Sequence, residues 1–216
     1  ANVRFLVDKD PRFYCKHDGS LNNGLEIVTH PATLNYHLTQ FNWEKLLSRA
    51  VQKRYDAPDG AGIHVHVSRA FFRNRIAIAK LLYFFDALRQ SIRIFSHRTS
   101  RDLNNWAKGY FPSSYDERME GYKLEDGLDK TDSLRQYFDD CEERAEHHYI
   151  VNICNRSTVE LRCFHSSTDP KRVHSILEFV DVITDIANST EDISWAAIDR
   201  VAKERNYQSL LEDMYY

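Results

Sequence analysis

The sequence predicts an α+β domain, a largely antiparallel sheet with helices packed on one face and a polar active-site cavity on the other. Three observations carry that class. Strand-like segments come in pairs with helical stretches between them, rather than in strict alternation. Apolar residues recur at three- and four-residue steps over stretches long enough to cover a sheet. Three of the strands hold charged or imidazole side chains on one alternation and apolar ones on the other, so each has a wet side and a greasy side.

The elements follow in order. Residues 3–7, 12–17 and 24–30 are short, β-branched or aromatic, and bounded by Asn, Asp or Gly, which marks strands. Between the second and third of these, "DGSLNNG" is dense in turn residues and predicts a hairpin. Residues 31–54 read as helical, with Pro31 suited to a first turn. A fourth strand spans 62–68. The strongest helix covers about 73–97, where Ile78, Leu81, Leu82, Phe85, Leu88, Ile92 and Phe95 form one stripe, which is core. Residues 110–131, with Pro, Gly and mixed charge, read as a loop or lid. Strands at 149–154 and 158–165 come next. Val173, Ile176, Leu177, Val180, Ile183 and Ile186 mark a helix, and a last helix covers about 194–214.

Composition narrows the classes. A chain of 216 residues with 42% hydrophobic content, including 12 Phe, 12 Tyr and 3 Trp, has apolar material for one domain over 1–216 with a sizeable core. A net charge of −3 speaks against a nucleic-acid footprint or a polybasic membrane patch. No apolar run approaches the roughly 18 residues that span a bilayer. The start, "ANVRFLVDKD", has neither the basic residues nor the apolar stretch of a signal peptide. It also lacks an initiator Met, so further sequence is expected upstream. Cys15, Cys141, Cys154 and Cys163 form no CxxC pair and no disulfide framework, and are expected as buried reduced thiols of a cytoplasmic protein. The Asn155 and Asn188 glycosylation-type triplets are then chance matches.

The chemistry-bearing residues sit on the wet alternations. In "GIHVHVS", His64 and His66 share one face and Ile63, Val65 and Val67 the other. Asp18 ends one strand of the predicted hairpin and Glu26 lies within the next, among Leu25, Ile27 and Val28. Glu26 is expected to be buried and to need a cation or donor, which a structural salt bridge would equally satisfy. In "STVELRCFH", Glu160 and Arg162 share a face opposite Val159, Leu161 and Cys163. Any one such face is often merely solvated; three together predict a lined cavity. Carboxylates suit Mg²⁺ or Mn²⁺, imidazole leans toward Mn²⁺ or Zn²⁺, and arginine suits a carboxylate or phosphate.

"DGSLNNGLEIVTHP", "GIHVHVS" and "STVELRCF", in this order, resemble the amidoligases of the glutamine synthetase-like carboxylate–amine ligase superfamily, related to glutamate–cysteine ligases. The resemblance covers about residues 12–164. It implies a glutamine synthetase-like sheet and ATP-dependent joining of a carboxylate to an amine through an acyl phosphate, with ATP and Mg²⁺ or Mn²⁺ as cofactors. Asp18 and Glu26 resemble acids that hold the metal at the amino-acid substrate; His64 and Glu160 resemble ligands of the nucleotide-linked metal. His66 and Ser68 resemble residues contacting ATP, and Arg162 the arginine that grips the substrate carboxylate or its acyl phosphate. Arg156, and more loosely Arg144 or Arg98, match arginines that neutralise the γ-phosphate. One feature departs from the pattern. The family's initial strand supplies a Glu-x-Glu pair, whereas "VRFLVDKD" has only Asp8 and Asp10, so the pair is expected upstream of residue 1.

Two other classes stay open on the sequence. A metal-dependent hydrolase would use His64 and His66 as Zn²⁺ ligands, but leaves Arg162 without a role. A non-catalytic binding module would keep the fold without the missing pair. The acid and the amine are not encoded in any motif, and the oligomeric state is open.

Overall fold

The computed structural model describes residues 12–18, 24–56, 60–110 and 130–215. The segment around residues 3–7, with Asp8 and Asp10, lies outside them, as do the turn at 19–23 and residues 111–129 of the predicted lid. Strands β1 (Phe13–Asp18) and β2 (Gly24–Thr29) pair antiparallel, Phe13 opposite Thr29 and Lys16 opposite Glu26. Alternation sends Phe13, Cys15 and Ile27 toward Phe41, Leu46, Tyr36 and Trp43, which form a small core of their own. Those partners come from α1 (Leu34–Thr39) and α2 (Trp43–Gln52) and the link between them.

A single helix over 31–54 is not what forms. Thr33 caps α1 by accepting from the Tyr36 amide at 3.2 Å, and Asn42 caps α2 by accepting from Lys45 at 2.8 Å. An Asn at that point competes with the helical ladder and starts a new helix instead.

Strand β3 (Gly62–Ser68) begins a second, three-stranded antiparallel sheet of order β3-β5-β4. Its other members are β4 (Val151–Asn152) and the central β5 (Thr158–His165). The described strands therefore make two separate small sheets rather than one. The strand predicted over 149–154 shrinks to two residues because Asn152 turns its side-chain oxygen to the Cys154 amide, 2.8 Å away, and ends the ladder.

The greasy face of this sheet, with Val65, Val159, Leu161, Phe164 and Val151, lies in the main core. Helices α3 (Arg75–Ala87), α4 (Arg89–Ser96) and α5 (Ser100–Trp106) each pack on one of its strands. Asn74 caps α3, and the predicted continuous helix breaks at Leu88, where ψ is 32°. Helix α6 (Lys130–Arg144), which begins at the end of the predicted loop, packs on α3. Helix α7 (Pro170–Asn188), capped by Asp169 with Pro170 in its first turn, meets α1, α2 and α3. It is joined by α8 (Trp195–Glu204) and α9 (Gln208–Tyr215), separated where Asn206 adopts φ 55°. Phe84, Phe95, Phe164, Phe179 and Trp195 form an aromatic centre, with the Phe95 and Phe179 centroids 4.4 Å apart.

Two further expectations change. Tyr110, read as the start of a lid, is buried: it stacks on Tyr149 at 4.1 Å and donates its hydroxyl to the Val151 carbonyl at 3.0 Å. Cys141 and Cys163 are buried and Cys15 is half-buried, but Cys154 is exposed beyond the end of β4. Among the described residues, no helix is long and apolar enough to cross a membrane.

Candidate active site

The wet face of the three-stranded sheet is built on one cross-strand row. Asn152 of β4 lies opposite Glu160 of β5, and Glu160 lies opposite His66 of β3. Residues two along in each strand share a face, which adds His64 and Arg162 to the row. A register shift between Ile63 and Val65 sets an extra β5 residue opposite this part of β3.

Glu160 is the hub, only 4% exposed. Its Oε1 accepts from Arg162 Nη1 at 2.6 Å and lies 3.2 Å from His64 Nδ1 and 3.7 Å from His66 Nε2. Its Oε2 accepts from Asn152 Nδ2 at 2.7 Å and Asn155 Nδ2 at 3.4 Å. Burial pushes this carboxyl up, but the His64 hydrogen bond and the charges of Arg162, His64 and His66 outweigh it and hold the group at about 2. Burial lowers His66 below the ordinary imidazole value, against the raising field of Glu160; Glu26 also raises it, while His64 and Arg162 lower it further. Its Nδ1 lies 3.2 Å from the Thr158 hydroxyl. A proton on His64 Nδ1 satisfies Glu160 and leaves the Nε2 lone pair for a ligand.

The sequence-predicted residues separate accordingly. His64, His66, Glu160 and Arg162 come together as expected. Ser68 ends β3 opposite Thr158, at the exposed margin of the same row. Glu26 is not buried: its side chain is 39% exposed and pairs with Lys16, opposite it in the hairpin, at 3.0 Å. It occupies the outward alternation, because Cys15 and Ile27 take the inward one. Its charge nonetheless acts on His66 in the raising direction. Asp18 closes β1 opposite Gly24, and its side chain lies outside the described residues. Arg156 is exposed in the turn before β5, and Arg144 is exposed at the end of α6.

Sequence reasoning missed Asn152, although a single polar residue inside "IVNIC" was the signal. It also missed Arg69, whose Nε donates to the Asn155 carbonyl at 2.8 Å and whose Nη2 donates to that of Ile153, fastening the β4–β5 turn. In kind, the donors fit a divalent cation: a carboxylate held ionised and an imidazole whose tautomer that carboxylate sets. As arranged, Arg162 occupies Glu160 Oε1, and no three His, Cys, Asp or Glu side chains among the described residues stand together as a metal cage.

The model of a family described as "putative amidoligase enzyme" matches residues 6–184. No curated protein and no solved structure gives a significant match.

Proposed function

The chain belongs to this amidoligase family, and from that premise we propose that it is an ATP-dependent carboxylate–amine ligase working through an acyl phosphate. The observation that carries the reading is the convergence of Glu160, His64, His66 and Arg162 on one sheet face. A carboxylate and imidazoles beside a guanidinium suit a substrate in which phosphate and carboxylate oxygens meet.

In this reading, His64 and Glu160 hold one Mg²⁺ or Mn²⁺ ion and Asp18 and Glu26 a second, with His66 and Ser68 at ATP. The ions supply charge neutralisation for the phosphates. Arg162 orients the substrate carboxylate for attack on the γ-phosphorus and stabilises the negative charge of the group in transfer, with Arg156 and Arg144 as further phosphate contacts. The carboxylate oxygen forms a bond to phosphorus as the bond to ADP breaks. The amine then forms the amide, phosphate leaves, and the amine proton passes to solvent.

Incubating the protein with ATP, Mg²⁺, an ¹⁸O-carboxylate panel of amino acids and dicarboxylates, and a panel of amines tests this. The expected result is amine-dependent ADP release with one ¹⁸O carried into inorganic phosphate. Product formation with no ¹⁸O in phosphate, or with AMP released instead of ADP, overturns the acyl-phosphate route.

A further inference from the structure

The two oxygens of the Glu160 carboxylate have partners of different kinds. Oε1 accepts from Arg162 Nη1 at 2.6 Å and lies 3.2 Å from His64 Nδ1. Both of those side chains are partly exposed, so they can turn aside when another ligand arrives. Oε2 accepts only from carboxamides, Asn152 Nδ2 at 2.7 Å and Asn155 Nδ2 at 3.4 Å. Glu160 therefore has one exchangeable oxygen and one held oxygen.

Asn152 has no such freedom. It is 1% exposed, and its Oδ1 accepts from the Cys154 amide at 2.8 Å while its Nδ2 serves Glu160. Turning the carboxamide over would set oxygen against the Glu160 oxygen and N–H against N–H. The backbone on either side is fixed as well. The Val151 carbonyl accepts from the buried Tyr110 hydroxyl at 3.0 Å, and the Ile150 carbonyl from the Arg162 amide at 3.0 Å. The Tyr110 amide in turn donates to Asp86, itself buried, at 3.1 Å. The distinction between the oxygens bears on which cation Glu160 can accept. Ca²⁺ favours many oxygens at longer distances and often takes both oxygens of one carboxylate, whereas Mg²⁺ demands a short, octahedral set and keeps several waters.

We infer that Asn152 is a positioning residue that sets the choice of cation. By holding Oε2 it makes Glu160 a one-oxygen ligand, which suits Mg²⁺ or Mn²⁺ and denies Ca²⁺ the second oxygen. The inference rests on the cation role proposed above for Glu160, and it concerns which ion is taken rather than the reaction that follows.

Titration of the full chain with Mn²⁺, free ion being read by electron paramagnetic resonance, tests this without ATP or turnover. Competition with Mg²⁺ and separately with Ca²⁺ then ranks the two ions. Wild type is expected to bind Mn²⁺ and to yield it more readily to Mg²⁺ than to Ca²⁺, and Glu160→Gln should lose the site. Asn152→Leu should move the Ca²⁺-to-Mg²⁺ affinity ratio toward Ca²⁺ by about tenfold. Asn152→Asp keeps an acceptor for the Cys154 amide but removes the donor to Oε2, and should move the ratio the same way. Circular dichroism verifies folding, and whichever variant folds carries the comparison. A merely structural Asn152 would lower stability and leave the ratio unchanged. Wild-type protein that binds no Mn²⁺ or prefers Ca²⁺, Glu160→Gln that binds as wild type does, or an unchanged ratio in a folded variant overturns the proposal. A shifted ratio without ATP-dependent product formation would leave this role standing and remove the ligase reading; product formation with an unchanged ratio would remove this role alone.

Discussion

At the scale of single residues, Arg162 is the point where structural and functional roles separate. Its Nη1 bond to Glu160 is an in-strand charge balance that a lysine would largely reproduce. Its buried, unpartnered Nε is a donor that an ammonium cannot place in the same plane. Arg162→Lys is therefore expected to keep ATP affinity within about threefold while ligation falls on the order of a hundredfold, about 3 kcal/mol of transition-state stabilisation. ATP titration beside product assay reads the two apart, and near-normal ligation would remove Arg162 from the chemistry. Glu160 gives a second test through pH. Its folded value of about 2 lies below the ordinary glutamate value of about 4.3, so its contribution is full above the latter and is lost as pH falls toward 2. His66, lowered by burial, acts in the same direction, losing its contribution as pH falls below about 6.5. The stability gap between wild type and Glu160→Gln, followed by urea midpoints, should therefore close between about pH 5 and pH 2. A gap constant over that range would mean Glu160 is not held ionised by its neighbours.

At the scale of elements, alternation was the legible part. β3 and β5 stand where "GIHVHVS" and "TVELRCFH" place them, because strict polar–apolar alternation leaves one choice of face. Helix ends were less legible. The stripes over 31–54, 73–97 and 194–214 have continuous periodicity, and each is cut by a local device that periodicity does not register: the Asn42 cap, the turn at Leu88, and the left-handed Asn206. The exposure of Glu26 was hidden for a different reason. Leu25 and Ile27 on either side of it face the other way, and its real environment is Lys16 across the hairpin. The turn before β5 shows how an element-level contact serves the site. Arg69, just past β3, fastens it through two carbonyls, and the same turn holds Asn155 against Glu160. Arg69→Ala should cost about 2 kcal/mol from two charge-assisted hydrogen bonds and speed amide exchange over residues 153–157. Exchange unchanged there would show that the turn is held by its own backbone.

At the scale of the whole molecule, α7 is the member on which the other layers meet, and α9 is fastened to it by buried polar contacts as well as by Leu210. Arg172, 7% exposed, binds Asp213, stacks over Phe95 at 4.9 Å and donates to the Phe95 carbonyl at 2.5 Å. Asp213 also accepts from Ser175 at 2.5 Å and faces His97 at 3.7 Å. Glu178, pushed up by burial against the lowering effect of the Leu210 amide, accepts from that amide at 2.8 Å. One clasp thus joins α4, α7 and α9 behind the sheet that carries the site. Desolvation makes the worth of such a pair small against an apolar replacement, but makes a broken pair expensive. Asp213→Ala strands the Arg172 guanidinium among Phe95 and its neighbours and is expected to destabilise by about 3–5 kcal/mol. Arg172→Met combined with Asp213→Leu removes both charges and should recover most of that loss. Urea unfolding of the two variants decides between them. If the double variant is no more stable than Asp213→Ala, the clasp contributes through packing and not through the penalty of an unpaired charge.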